Sequence, residues 1–203
     1  MMKFLTDIKL VIGFIFAHFL LYLTFSDKNV FWYIFTASML FLITYTILNE
    51  SVDDEVSTNT YLSIGVISGL ILFGLFWAGN FLIDILNLPF STQISKLYNR
   101  LSPTAIWHYI VLLLIIIPGE EIFWRGFIQK RLFKHVNVWP SIIISAVMYS
   151  LAHLYSGSYM LVFAALFAGL FWGWLYAWKR SIPLVIVSHL IFDLFLLVIF
   201  PLY

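Results

Sequence analysis

The sequence contains no cysteine. That excludes disulfides, thiolate metal sites and a cysteine nucleophile. Charge is scarce as well: eleven basic and ten acidic side chains stand in 203 residues. Soluble domains are about a quarter charged and near half apolar, whereas this chain is 10% charged, 63% hydrophobic and 20% aromatic. Its mean hydropathy is +0.99. So few charges cannot cover a water-soluble globule of this size, which excludes an ordinary soluble enzyme and a disordered chain. A net charge of +1 offers no electrostatic footprint for a polyanion, so no nucleic-acid partner is expected. There is no internal repeat and no low-complexity tract.

What the chain does have is long apolar runs. Seven stand out: Ile8–Phe25, Val30–Leu48, Tyr61–Ile83, Ala105–Ile117, Trp139–Leu154, Tyr159–Trp178 and Ile182–Leu202. The fourth is short for a bilayer unless it continues through Glu120–Lys134, and the fifth is short too. Backbone groups in lipid must bond internally, so the spans are expected to be helices. The alternating polarity of a barrel is missing. The expected fold is therefore all-α, a multi-pass transmembrane helix bundle of about seven spans in the cell membrane, with the lipid bilayer as a partner. The N-terminal run has a signal-like start but no small-residue cleavage site, and reads as a retained first span. Lysine and arginine set orientation. With the N-terminus inside, the inner side receives Lys3, Lys9, Lys130, Arg131, Lys134, Lys179 and Arg180, and the outer side Lys28, Lys96 and Arg100. The acidic loop Asn49–Asn59 then falls inside. Asn87–Pro103 is expected to lie along the interface, with Ser102-Pro103 as a helix start.

Ionisable groups inside spans are costly and are functional candidates by default. The second half holds three sets: Gly119-Glu120-Glu121-Ile122-Phe123-Trp124-Arg125, Tyr149-Ser150-Leu151-Ala152-His153 and His189-Leu190-Ile191-Phe192-Asp193. Glu121 and Arg125 are four apart, share a helix face and can pair. Glu120 points about 140° away from Arg125 and is left without a local partner, as suits a general base. Pro118 just before it permits a kink and a cavity at that depth. His189 and Asp193 share a face, as do Tyr149 and His153. Counting from the basic residues at 1.5 Å per residue puts all of them roughly 13–21 Å from the inner surface, so convergence is permitted. Simpler roles are assigned elsewhere. Tyr149 reads as packing, His18 and His108 as packing or interface residues, His135 as solvated, and Asn80 with Asp84 as an interfacial cap, with a place in a cavity lining as the alternative.

The three sets resemble the CAAX protease and bacteriocin-processing (CPBP) family of intramembrane proteases. The family pattern is EExxxR, then FxxxH, then HxxxN or HxxxD, each on its own membrane helix. Here it reads Glu120-Glu121…Arg125, Tyr149…His153 and His189…Asp193. The resemblance covers about Ala105–Tyr203, so residues 1–104 are read as N-terminal helices without motif and 105–203 as the catalytic core. It implies a peptidase in which Glu120 with His153 activates a water, and His189 with Asp193 stabilises the oxyanion. Glu121 and Arg125 support that site. No metal or other cofactor is expected, because there is no HExxH helix, with zinc as the alternative. An ionised aspartate cannot donate to an oxyanion, so Asp193 is either protonated or accepts from His189 and orients it. The second is preferred on the i,i+4 spacing. The expected partner is a peptide or lipidated-peptide substrate entering a polar cavity that opens toward the inner face. The rival readings are a proton-linked transporter and a catalytically inactive immunity or scaffold protein. Transporters commonly show paired halves, whereas buried charge here lies only in the second half.

Overall fold

The computed structural model describes residues 3–202; Met1, Met2 and Tyr203 lie outside the described residues, as does the side chain of Lys3 counted above. In chain order the helices are α1 (Ile8–Ser26), α2 (Phe31–Asn49), α3 (Thr58–Ile85), α4 (Ser91–Leu101), α5 (Ile106–Leu132), α6 (Val138–Ser156), α7 (Tyr159–Lys179) and α8 (Ile182–Ile199). All but α4 are long and apolar enough to cross a membrane. No strand occurs among the described residues. The protein is a multi-pass membrane helix bundle, as its composition requires.

The fourth span is long enough because it does run on through the charged segment. Helix α5 is continuous from Ile106 to Leu132, but two of its stretches, Leu112–Ile116 and Trp124–Gln129, are π-helical. They flank the turn that holds Pro118, whose ring removes a donor from the ladder. Wide turns of this kind often mark functional sites. The helix does not begin at Ser102-Pro103. It begins at Ile106, because His108 supplies the cap: its Nδ1 accepts from the N–H groups of Thr104 (3.1 Å) and Ala105 (3.2 Å). The same ring stacks on Trp32 at 4.7 Å.

Lipid gives helices no hydrophobic reason to associate, so contact depends on close packing and polar groups. Helix α3 meets α8 across Gly65 and Gly69. A Cβ on Gly69 would stand 2.5 Å from the Ser188 carbonyl oxygen, so no other residue fits that crossing. Helix α1 packs on α2, and α6 on α7. Helix α5 is central, with Phe123, Trp124, Phe127 and Ile128 wholly buried. The outward faces remain apolar; Leu114 is 72% exposed, as expected of a side chain facing lipid.

The basic end of the bundle is closed by ion pairs. Arg131 bonds Asp7 (2.7 Å) and Glu50 (2.6 Å), and Lys130 bonds Asp53. Tyr176 donates to Asp53 at 2.6 Å and Ser181 to Asp54 at 2.8 Å. The backbone of the acidic loop also pairs with the α7–α8 turn, through Ile182 N–H to Asp53 and Glu55 N–H to Arg180. That loop is therefore a clasp between the two halves of the chain. His135 is not simply solvated; its Nε2 lies 3.1 Å from Asp7.

Asp7 also caps α1 by accepting from the Leu10 N–H. Burial alone would raise its pKa, but hydrogen bonds from Arg131, His135 and Leu10 outweigh it and lower it from 3.8 to about 2. A depressed carboxylate pKa stabilises the fold above the unfolded value and loses that contribution as pH falls through the folded one. A shift of this size is worth about 2 kcal/mol. Asp7→Asn should thus melt below wild type at pH 7, with the gap narrowing between about pH 4 and pH 2. A gap independent of pH, followed by thermal unfolding in detergent, would show that charge is not the cause.

Candidate active site

Glu120 sits on the α-helical turn between the two π segments of α5 and is buried. Arg125 pairs with Glu121, not with Glu120. Its Oε2 accepts from the Tyr149 hydroxyl at 3.0 Å, and its Oε1 lies 3.7 Å from His153 Nε2. Tyr149 is therefore more than packing. Its ring lies under the Arg125 guanidinium at 4.9 Å, and its carbonyl oxygen accepts from His153 Nδ1 at 2.9 Å. Because a carbonyl can only accept, Nδ1 carries the proton in neutral His153, and Nε2 presents a lone pair toward Glu120. His153 stands where α6 tightens into its last 3₁₀ turn, His153–Ser156.

Glu121 pairs with Arg125 at 3.0 Å, both fully buried. The same oxygen, Oε1, bonds His189 Nδ1 at 2.8 Å. This differs from the expected arrangement. The carboxylate that orients His189 is Glu121, from α5, and not Asp193 on its own helix. Asp193 Oδ2 lies 3.7 Å from His189 Nε2, beyond hydrogen-bond range. The i,i+4 spacing places the two side chains on one face, but the ring turns its Nδ1 edge to the shorter contact. Trp172 fixes that turn by stacking on His189 at 3.8 Å. It is itself held by an indole N–H bond to Ser188 at 3.2 Å. His189 Nε2 is 4.0 Å from Glu120 Oε2.

Glu120, Tyr149, His153, His189 and Asp193 all line one cavity of about 660 Å³. Neither its polarity nor its direction is as expected. Apart from the cluster its walls are almost entirely apolar. It runs toward Phe25, Phe31, Ile83, α4 and Met160, at the end of the bundle opposite the basic residues. The clasp closes the other end. Helix α4 covers this region with Ile94, Leu97, Tyr98 and Leu101, spaced along one face, while Lys96 and Arg100 are not part of the lining. Asn80 takes the alternative role and is part of the wall. Asp84 accepts from Ser91 near the start of α4.

Both imidazoles are tied back through Nδ1, as metal-ligating histidines are. The facing atoms, however, stand 3.7–4.0 Å apart, wider than the about 3.3 Å that tetrahedral zinc at its usual bond lengths sets between ligand atoms. Among the described residues no three of His, Asp and Glu are arranged to hold a metal ion.

Residues 102–195 match the family model of Type II CAAX prenyl endopeptidase Rce1-like proteins. The match takes in all three motifs and just under half of the chain. This segment belongs to the CPBP family. No curated protein and no solved structure matches the chain. The match supports an intramembrane CAAX-protease kind of function, that is, a peptidase. Two features of this CPBP site escape the motifs. One is the Tyr149 hydroxyl on Glu120; the tyrosine that stands where the family pattern has phenylalanine was its only signal. The other is the bond from Glu121 to His189, between residues 68 positions apart, which no local spacing encodes.

Proposed function

We propose that this protein hydrolyses a peptide bond within the membrane, with Glu120 as general base. The observation that carries the reading is the placement of Glu120 Oε1 and His153 Nε2, 3.7 Å apart on two residues that line one cavity. Two acceptors at that separation can each take a hydrogen bond from one water molecule. Glu120 removes a proton from that water as its oxygen attacks the carbonyl carbon. The carbonyl electrons move onto oxygen. With protons on both ring nitrogens, His189 donates Nδ1–H to Glu121 and Nε2–H to the oxyanion, whose stabilisation is commonly the largest single catalytic effect. The carbonyl then re-forms as the C–N bond breaks, the proton on Glu120 passes to the departing amine, and the new carboxylic acid gives up its remaining proton to leave a carboxylate. The Tyr149 hydroxyl engages Oε2 and leaves Oε1 for the water. The cell membrane is the proposed location, with the basic end inward.

The test is hydrolysis of apolar peptides by purified protein in lipid nanodiscs, read by mass spectrometry, with Glu120→Gln as the control. The spacing of the facing atoms supports a metal-free reaction. Chelators are expected to leave the rate unchanged, and stoichiometric zinc whose removal and return switch activity off and on would overturn that part.

The geometry also resets the expectation for Asp193. Since Glu121 orients His189, Asp193→Asn leaves that ring in place and adds a neutral amide donor near the oxyanion. The rate should hold within about tenfold, against the loss of about 10⁴-fold seen when an orienting carboxylate is removed from a hydrolase. A comparison of kcat for the two proteins on one peptide decides it. A loss beyond about 10³-fold would restore the orienting role to Asp193.

A further inference from the structure

We propose that Gln129, which contributes nothing to the cavity wall, is a positioning residue for the reaction, holding α7 so that Trp172 keeps its ring against His189. The inference rests on the peptidase reading for the part His189 plays; the contacts are independent of it. Gln129 is fully buried. It lies eight residues beyond Glu121, about 12 Å along α5, and cannot reach the reacting atoms. Its Nε2 donates to the Gly173 carbonyl oxygen of α7 at 2.7 Å. Four residues earlier on both helices, Arg125 Nη2 donates to Gly169 O at 3.4 Å. Two side chains one turn apart on α5 thus grip two carbonyls one turn apart on α7, and Trp172 lies in the segment between them. Gly173 makes the shorter bond possible: a Cβ there would stand 3.1 Å from Gln129 Oε1 and 3.2 Å from an Ile142 side-chain carbon.

Trp172 is the link to the chemistry. Its ring stacks on His189 at 3.8 Å and meets Phe192 edge-on at 5.6 Å, and its indole N–H donates to Ser188. All three residues belong to α8, so they fix the indole relative to the helix of His189 itself. None of them fixes it relative to α5, which carries Glu120 and Glu121. The bonds from Arg125 and Gln129 do. His189 is thus held at its Nδ1 edge by Glu121 and at its face by Trp172, and both holds are set from α5. Without the Gln129 bond the longer Arg125 bond remains, and His189 Nε2 can drift from its place 4.0 Å from Glu120. Reacting groups tolerate little drift: a displacement of about 1 Å by a remote change can cost about 10²-fold. Packing alone explains Gln129 less well. Its Oε1 is buried with no hydrogen-bond partner among the described residues, and leaving a buried polar atom unpaired is destabilising. An apolar side chain of the same length would pack there without that penalty.

Gln129→Met tests this, since methionine keeps the length and loses both the donor and the unpaired acceptor. The readouts are melting in detergent, kcat and KM on one apolar peptide, and the His189 ring signal in the NMR spectrum of protein carrying 13C-labelled histidine, identified by its loss in His189→Asn. Stacking places the His189 ring protons in the shielding region of the indole, so Trp172→Leu gives the unstacked position of that signal. Gln129→Met should melt within a few degrees of wild type. It should lower kcat by about tenfold or more, with KM held within about threefold, and move the His189 signal at least halfway to the unstacked position. Adding Gln129→Met to Trp172→Leu should cost less than about twofold more, because the two act on one ring. A wild-type kcat, a signal that stays in place, or full additivity with Trp172→Leu would overturn the inference. So would failure of both Gln129→Met and the shorter amide Gln129→Asn to fold, which would make Gln129 structural. If the signal moves as expected but the wild-type protein cleaves no peptide, the peptidase reading falls and the hold of Gln129 on the His189 ring stands.

Discussion

Glu120→Gln is expected to slow peptide hydrolysis by about 10²–10⁴-fold, the range a positioned general base contributes, while the protein stays folded. Glutamine has nearly the same shape as glutamate. Its amide oxygen still accepts from the Tyr149 hydroxyl, which lies 3.0 Å from Oε2. What it cannot do is take a proton from water. No cation pairs directly with Glu120 in the way Arg125 pairs with Glu121, so neutralising it leaves no buried positive charge stranded. The measurements are kcat on one peptide and the melting temperature of both proteins in the same detergent. Melting should agree within a few degrees. A variant that melts normally and works within a few fold of wild type would remove Glu120 as the base. A variant that fails to fold would place Glu120 in the structural framework, together with Glu121.

The sequence shows the bundle and the motif residues for different reasons. The spans are legible because lipid requires apolar runs of fixed length, so Ile8–Ser26 or Tyr159–Lys179 can be found within a few residues. The extent of α5 is harder to read, since Glu120, Glu121 and Arg125 interrupt its hydropathy; only their mutual burial makes Ile106–Leu132 one helix. Within one helix, spacing predicts contact, and it leads to the Glu121–Arg125 pair. It misleads at His189 and Asp193, because being on one face is not the same as being bonded. The ring is oriented by Glu121 and Trp172, from α5 and α7. The acidic loop Asn49–Asn59 can be placed on the inner side but not paired, because a sequence does not show which basic groups will face it. The direction of the cavity depends on that same clasp, so it was legible only once Asp7, Glu50 and Asp53 could be paired with Arg131 and Lys130.

Arg125→Ala should cost the fold more than any other single change at the site. The guanidinium is buried, holds Glu121 at 3.0 Å and Gly169 O at 3.4 Å, and covers the Tyr149 ring. Its removal leaves Glu121 as a buried charge with His189 as its one remaining partner, and breaking a buried pair from one side destabilises by about 3–5 kcal/mol. Yield and melting temperature should fall together, and whatever folds should be slow because His189 loses a fixed anchor. Removing both charges separates the two effects. Arg125→Met with Glu121→Gln should regain most of the stability, since replacing a buried pair by neutral groups is often close to neutral. Hydrolysis should remain at least tenfold down, because a neutral amide holds the His189 Nδ1–H less firmly than a carboxylate does. The double variant also gives the coupling energy of the pair when set against the two single variants. If Arg125→Ala instead melts like wild type but cleaves nothing, the arginine belongs with Glu120 and His153 in the chemistry. If the double variant cleaves at the wild-type rate, the charge on Glu121 has no part in orienting His189, and stacking on Trp172 alone sets the ring.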